Sequence, residues 1–487
     1  MLCSPHSNAH LDPLLALSND NVQTLSSPSP TDFINDCPPS TCALLATHPS
    51  SLLKLAHTKI HSYPFSKVPA CWRRLYTDAS IYEAVGIVRA EIGSLRNARL
   101  DWSGREYGEV RRKRGLVEND REVIRSGVDK KSNDGYGHLR YEKAYEGEDW
   151  IQKVVRLLDM AVIIAGAPQR EEMIETLFLA LQSYVQAQQQ HDLEQHPLRK
   201  KRRKTIDIFS TDVKNAPGVQ HSIPKHSNLS ITAFEKHLQI AQPIVIQDSL
   251  THWPALHERS WKSPRYLMEQ TLGGRRLVPV EVGRSYTEEG WGQKIITFKE
   301  FMEMYLINDL EERADKPDIG YLAQHDLFAQ IPSLRADISI PDYCYTDPPP
   351  PASGAPLASK SPQPKLDEPL LNAWFGPAGT VSPLHTDPYH NILCQVVGKK
   401  YVRLYSPLET EKLYPRGVDG VGVDMSNTSG VDVEADREEQ DTVFPLFREA
   451  RYAETILNEG ECLYIPVGWW HYLRSLTVSF SVSFWWN

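Results

Sequence analysis

Cysteine is scarce and scattered in this chain. Its seven residues, Cys3, Cys37, Cys42, Cys71, Cys344, Cys394 and Cys462, form no C-x-x-C pair, which excludes a zinc module or a disulfide framework and points to a reducing compartment. Long apolar runs are missing too. No stretch approaches the ~20 residues that cross a bilayer, and the N-terminus has polar residues and prolines where a secretory signal needs a basic start and an apolar core. The expectation is a soluble, intracellular protein with no membrane partner. Positive charge is also not in excess: 53 Lys and Arg against 62 Asp and Glu leave a net −9. That excludes a nucleic-acid-coating protein and leaves direct nucleic-acid contact open only through local basic patches.

What is present divides the 487 residues into regions of different texture. Residues 1–40 are rich in Ser, Pro, Asn and Thr without a sustained apolar period and are predicted to be a disordered tail. Residues 41–195 carry helical spacing in IYEAVGIVRAEIGSL (81–95), WIQKVVRLLDMAVIIAG (150–166) and EEMIETLFLALQSYVQAQ (171–188), which predicts a helical domain with a charged insertion near 101–147. Residues 196–222 form a basic linker containing the run Arg199 to Lys204. An exposed basic cluster in an acidic protein reads as a nuclear import signal, with a solvated hinge or a phosphate contact as alternatives. The expected compartment is the nucleus, with the cytoplasm second.

From Ile223 to Asn487 short β-branched and aromatic runs alternate with turns: PIVIQDSL (243–250), RRLVPVEVG (275–283), YVRLYSP (401–407), GECLYIPVG (460–468) and TVSFSVSFWW (477–486). Many short strands predict an antiparallel barrel or jelly roll, flanked by helices around 231–239 and 298–310. The proline-rich 348–364 and the polar stretch 417–442 are expected to be weakly ordered surface loops.

Within this half, His385 and Asp387 stand at i and i+2 and share one face of a strand, while His471 comes from a distant strand. Two imidazoles and one carboxylate on one face of an octahedral ion leave the opposite face open, the arrangement of non-haem iron(II) oxygenases. The H-x-D spacing alone is weak, since His10-Leu11-Asp12 repeats it in the tail. His390 is offset by an odd number of residues from the ligand face and is not a ligand. Lys400 opens a strand after a short turn, where a carboxylate co-substrate would give a lysine a reason to be buried; a surface lysine at a strand edge is the alternative.

The segments NAWFGPAGTVSPLHTDPYHN (372–391), KKYVRLYSP (399–407), YIPVGWWHY (464–472) and SFSVSFWW (479–486) together resemble the jumonji-C family over about residues 220–487. The resemblance implies a double-stranded β-helix, iron(II) held by His385, Asp387 and His471, and 2-oxoglutarate and O2 as co-substrates. It also implies that Lys400, Tyr321 and Ser382 hold the distal carboxylate of 2-oxoglutarate and that Asn391 contacts the proximal one. Glu281, Trp291 and Trp374 correspond by resemblance to the substrate pocket. The implied activity is a protein hydroxylase acting on arginine side chains. The alternatives are a histone N-methyl-lysine demethylase and, from another class, a non-catalytic scaffold; a sugar-binding or storage barrel gives the four polar residues no role. The implied partner is a protein or peptide substrate, ribosomal, chromatin-associated or histone.

Overall fold

The computed structural model describes residues 11–103, 148–195, 207–213, 216–287, 290–307, 319–349, 363–418 and 422–487. The basic run 199–204, the body of the charged insertion and most of the proline-rich insertion lie outside them. The backbone divides into two compact units, Met1–His196 and Pro197–Asn487.

The first unit is helical: α1 Leu11–Leu25, the single turn α2 Pro39–Cys42, α3 Pro49–Ile60, α4 Ala70–Ser103, α5 Trp150–Ala165 and α6 Glu171–Gln195. Asp149 caps α5 by accepting a hydrogen bond from the Gln152 amide, and Gly166, in the left-handed region, ends it. Residues 11–40 are not a disordered tail. Leu14, Ser18, Asn21 and Leu25 are buried at the i, i+4, i+7, i+11 spacing of one helix face, and two of the four are polar, which is why an apolar period was not visible. The segment is also tied down by charge. Asp32 accepts from Arg74 at 2.6 Å and from Arg170 at 3.1 Å, and Asp78 pairs with the same two arginines.

The second unit is a jelly roll. Its strands are β1 Lys225–Ser227, β2 Ile244–Gln247, β3 Leu277–Val282, β4 Gly292–Thr297, β5 Gly320–His325, β6 Leu370–Gly376, β7 Val381–His385, β8 His390–Val397, β9 Lys400–Tyr405, β10 Tyr452–Leu457, β11 Cys462–Ile465, β12 Trp470–Ser475 and β13 Ser479–Trp486. They form a nine-stranded sheet, β1-β2-β11-β8-β13-β6-β5-β3-β4, and a four-stranded sheet, β10-β9-β12-β7. Helix α7, Ile231–Ile240, with Ser230 as its cap, covers the outside of the larger sheet, where Phe234, Trp253, Trp261, Phe375, Phe480 and Phe484 share one core. Alternation then sends the intervening residues of each strand inward. Leu393, Val402, Leu404, Leu463, Ile465 and Leu473 fill the space between the sheets.

Two expectations about the connections need correction. The linker expected over 196–222 is partly built into the second unit, since Phe209 is buried in the larger core and the Gln220 amide donates to the Glu454 carboxylate at 2.6 Å. Of the polar stretch 417–442, residues 428–433 are not a loose surface loop: Thr428, Ser429, Val431 and Val433 are buried, and the two valines pack against the outer face of the smaller sheet with Leu384, Tyr405 and Trp470. Valines at alternate positions anchor it despite the acidic residues between them.

Candidate metal centre

His385, the last residue of β7, lies directly across from His471 on β12, because the chain returns through the smaller sheet with these two strands as neighbours. The His385 Nδ1–H donates to the Pro383 carbonyl at 2.7 Å and the His471 Nδ1–H to the Trp469 carbonyl at 2.9 Å. Both protons are thereby assigned to Nδ1, and both Nε2 lone pairs are left for a ligand. Asp387 is not on the strand, contrary to the i, i+2 argument. It follows β7 in a turn held by three contacts: the Thr386 amide donates to the Asn427 carbonyl, the Gly468 amide donates to the Asp387 carbonyl, and the Tyr389 ring stacks on Trp485 at 5.8 Å. Its carboxylate stands 3.2 Å from His471 Nε2 and 3.8 Å from His385 Nε2. One ligand atom from each residue lies within 4.8 Å of the others.

The electrostatics suit a cation. Burial, and then His471, push His385 down to about 4, so it is neutral near pH 7. Burial pushes the Asp387 carboxyl up, but the two histidines outweigh it and hold it below the usual range. Two neutral imidazoles and one carboxylate, with oriented outer partners, are the donor set for iron(II). His390 is buried on the opposite face, where its Nδ1 meets the Tyr464 hydroxyl at 2.9 Å.

Lys400 opens β9 because the β8–β9 connection is tight. Gly398 has φ +74°, and a Cβ there would fall 2.0 Å from the Val478 carbonyl oxygen, so only glycine closes this turn. Lys400 is 2% exposed and its Nζ donates to the Tyr321 hydroxyl at 3.1 Å. No carboxylate among the described residues pairs with it, and burial lowers it to about 7. The Tyr321 hydroxyl, pushed up by burial, also shares a hydrogen bond with Ser382. A cation and two hydroxyls therefore converge with no anion, which fits the distal carboxylate of 2-oxoglutarate. Asn391 lies inward on β8, its amide oxygen buried without a partner. Its cross-strand neighbour is Trp485, whose indole N–H is likewise unsatisfied, a residue the motif spacing did not single out.

Glu281 on β3 is paired across the sheet with Tyr321 on β5, which sets its carboxylate beside that tyrosine. Burial raises its pKa, and the nearby Trp291 and Gln293 side chains oppose that. Trp374 points between the sheets, 6.1 Å from the Tyr321 ring, and its indole N–H donates to Ser483 at 2.9 Å. Two further residues at the mouth have no signature in the sequence. The Tyr286 hydroxyl meets Thr428 Oγ1 at 3.4 Å, and Thr428 forms a β-bridge with His385.

Comparison with known proteins gives a match to a family described as a cupin-like domain over residues 230–487. The chain is 47% identical over 268 residues to lysine-specific demethylase 8 of Xenopus tropicalis, covering 55% of this chain and 53% of the relative. It is 39% identical over 341 residues to lysine-specific demethylase 8 of Danio rerio, covering 69% and 75%. It is 45% identical over 266 residues to lysine-specific demethylase JMJ30 of Arabidopsis thaliana, covering 54% of each. The matched part thus spans about half the length of the frog and plant relatives.

Proposed function

This chain belongs to the jumonji-C family of 2-oxoglutarate-dependent oxygenases, and from that premise we propose that it is an iron(II)-dependent protein hydroxylase acting on arginine side chains. The observation that carries the reading is the surroundings of Glu281, a half-buried carboxylate beside Trp291 and one strand away from Tyr321. A guanidinium is planar and always charged, so it suits a carboxylate that pairs with its forked donors and indole faces that stack on it.

Iron(II) at His385, Asp387 and His471 would supply the coupled chemistry, in which 2-oxoglutarate and O2 become succinate and CO2 and one oxygen atom enters a substrate C–H bond. The rest falls to the chain. Lys400, Tyr321 and Ser382 hold the distal carboxylate of the co-substrate, and Asn391 contacts the proximal one. Glu281 fixes the guanidinium so that a side-chain carbon, not the charged end, faces the metal, and Trp291 and Trp374 exclude water from it. The relatives' names favour the second reading, removal of a methyl group from lysine. A methylammonium, however, has no forked donor set to match Glu281.

The test compares an arginine peptide with a methyl-lysine peptide on the wild type and on Glu281→Ala. The wild type is expected to hydroxylate the arginine peptide, and the variant to lose that turnover while still decarboxylating 2-oxoglutarate without coupling. Unchanged arginine turnover in the variant removes the pocket assignment. For localisation, we propose that the run Arg199 to Lys204 directs nuclear import. Residues 195–208 fused to a cytosolic reporter should carry it into the nucleus; a reporter that stays cytosolic leaves the hinge reading.

A further inference from the structure

The mouth of the centre has two walls of opposite charge. On one wall is Glu281. The other is an arm formed by residues 415–429, which doubles back on itself: Pro415 bridges Ser429, and the Arg416 amide donates to the Thr428 carbonyl at 2.8 Å. Because Thr428 bridges His385, Arg416 is two strand spacings from a metal ligand, on the order of 10 Å. Tyr286 lies between the walls, within electrostatic reach of Asp387, Glu281 and Arg416 at once.

Arg416 is exposed, and its Nε donates to the Ser429 carbonyl at 3.1 Å. Among the described residues no carboxylate pairs with it. The neighbouring arginine of the mouth is different, because Arg284 is paired with Asp432 at 3.2 Å. Beside β7 these residues line a half-enclosed cleft of about 170 Å³, together with Ser285, Thr287 and Ser429. The cleft has the size of one side chain. Ser285 and Thr287 are already bonded to each other, so the charged donor in the cleft without a carboxylate partner among the described residues is the Arg416 guanidinium, anchored through Nε on the Ser429 carbonyl.

We propose that this cleft receives an acidic side chain of the protein substrate, with Arg416 as its counter-ion, so that the enzyme selects target residues that have an aspartate or glutamate close by in sequence. An extended peptide advances about 3.3–3.6 Å per residue, so a separation on the order of 10 Å puts the acidic residue roughly two to three residues from the target. The inference rests on the reading of this site as a peptide hydroxylase, and its charge preference is independent of which residue is oxidised. Arg416 acts on specificity only; it touches neither the metal ligands nor the co-substrate residues.

The test uses peptides with a central arginine, and a parallel set with methyl-lysine, carrying Glu, Gln or Lys at each position up to three residues from the centre. Binding is read by fluorescence anisotropy and turnover by KM and kcat on the iron-loaded enzyme. At the favoured position the wild type should prefer Glu over Gln by about two- to fivefold, as for a partly exposed ion pair, with the effect on KM and not on kcat, and the preference should shrink as salt is raised. Arg416→Gln should flatten the series and Arg416→Glu should invert it in favour of Lys. A preference that is absent in the wild type, or that survives in Arg416→Glu, overturns the proposal. A charge preference that follows residue 416 while only the methyl-lysine set is turned over sustains the acidic-neighbour inference and rejects arginine as the target.

Discussion

Asp387→Ala is expected to abolish succinate formation and to weaken binding of Mn(II), a redox-inert substitute for iron(II), by at least on the order of 100-fold, the upper end of what losing a supporting outer partner costs a metal site. Asp387 is the one anionic ligand of the three, and its carboxylate lies within 4 Å of both imidazoles; without it two neutral histidines face the ion. The fold should survive. The turn that carries Asp387 is held by main-chain hydrogen bonds and by the Tyr389–Trp485 stack, none of which uses the carboxylate, and a catalytic metal is less structural than a zinc-finger ion. Calorimetry with Mn(II), succinate measurement and a thermal melt separate the two effects. Full turnover in Asp387→Ala contradicts the ligand assignment.

Lys400→Ala is expected to weaken 2-oxoglutarate binding by about 3–5 kcal/mol, the typical cost of leaving one member of a buried ion pair alone; that is roughly a factor of 10² to several times 10³. The pH dependence gives a second reading of the same residue. Burial lowers Lys400 from 10.5 to about 7, so above pH 7 the free protein has lost the proton that the co-substrate carboxylate needs. Binding must then take the proton back up, and affinity should fall as pH rises above about 7. The stability of the ligand-free protein should move the other way. Between pH 7 and 10.5 the unfolded chain holds more protons at this site than the folded one, so stability rises with pH over that window, and Lys400→Ala should remove this rise. A dissociation constant for 2-oxoglutarate unchanged in the variant places the distal carboxylate elsewhere.

The parts of the site legible in the sequence are those fixed by strand alternation and by charge in an apolar run. His385 and His471 stand among β-branched and aromatic residues, and Lys400 opens a run, KYVRLYSP, in which Tyr401, Val402, Leu404 and Tyr405 pack between the sheets or against the outer face of the smaller one. What was not legible depends on contacts between segments far apart in the chain. Asp387 is presented by a turn, so its aim comes from Asn427, Gly468 and Trp485 and not from a strand pleat. Thr428 and Arg416 reach the metal ligands only because the acidic stretch folds back over β7, anchored by Val431 and Val433, and such anchoring by two valines among polar residues leaves no period to read. The same reason applies to α1, whose buried face is half polar.

Whether this site oxidises arginine or demethylates lysine is decided by the mass of the product peptide. Purified protein, iron(II), 2-oxoglutarate and O2 are incubated with arginine and methyl-lysine peptides side by side, and succinate and formaldehyde are measured in the same tubes. For an arginine hydroxylase the arginine peptide becomes heavier by about 16 Da, in step with succinate and without formaldehyde. A methyl-lysine peptide lighter by about 14 Da, with formaldehyde released and the arginine peptide unchanged, would contradict the arginine reading.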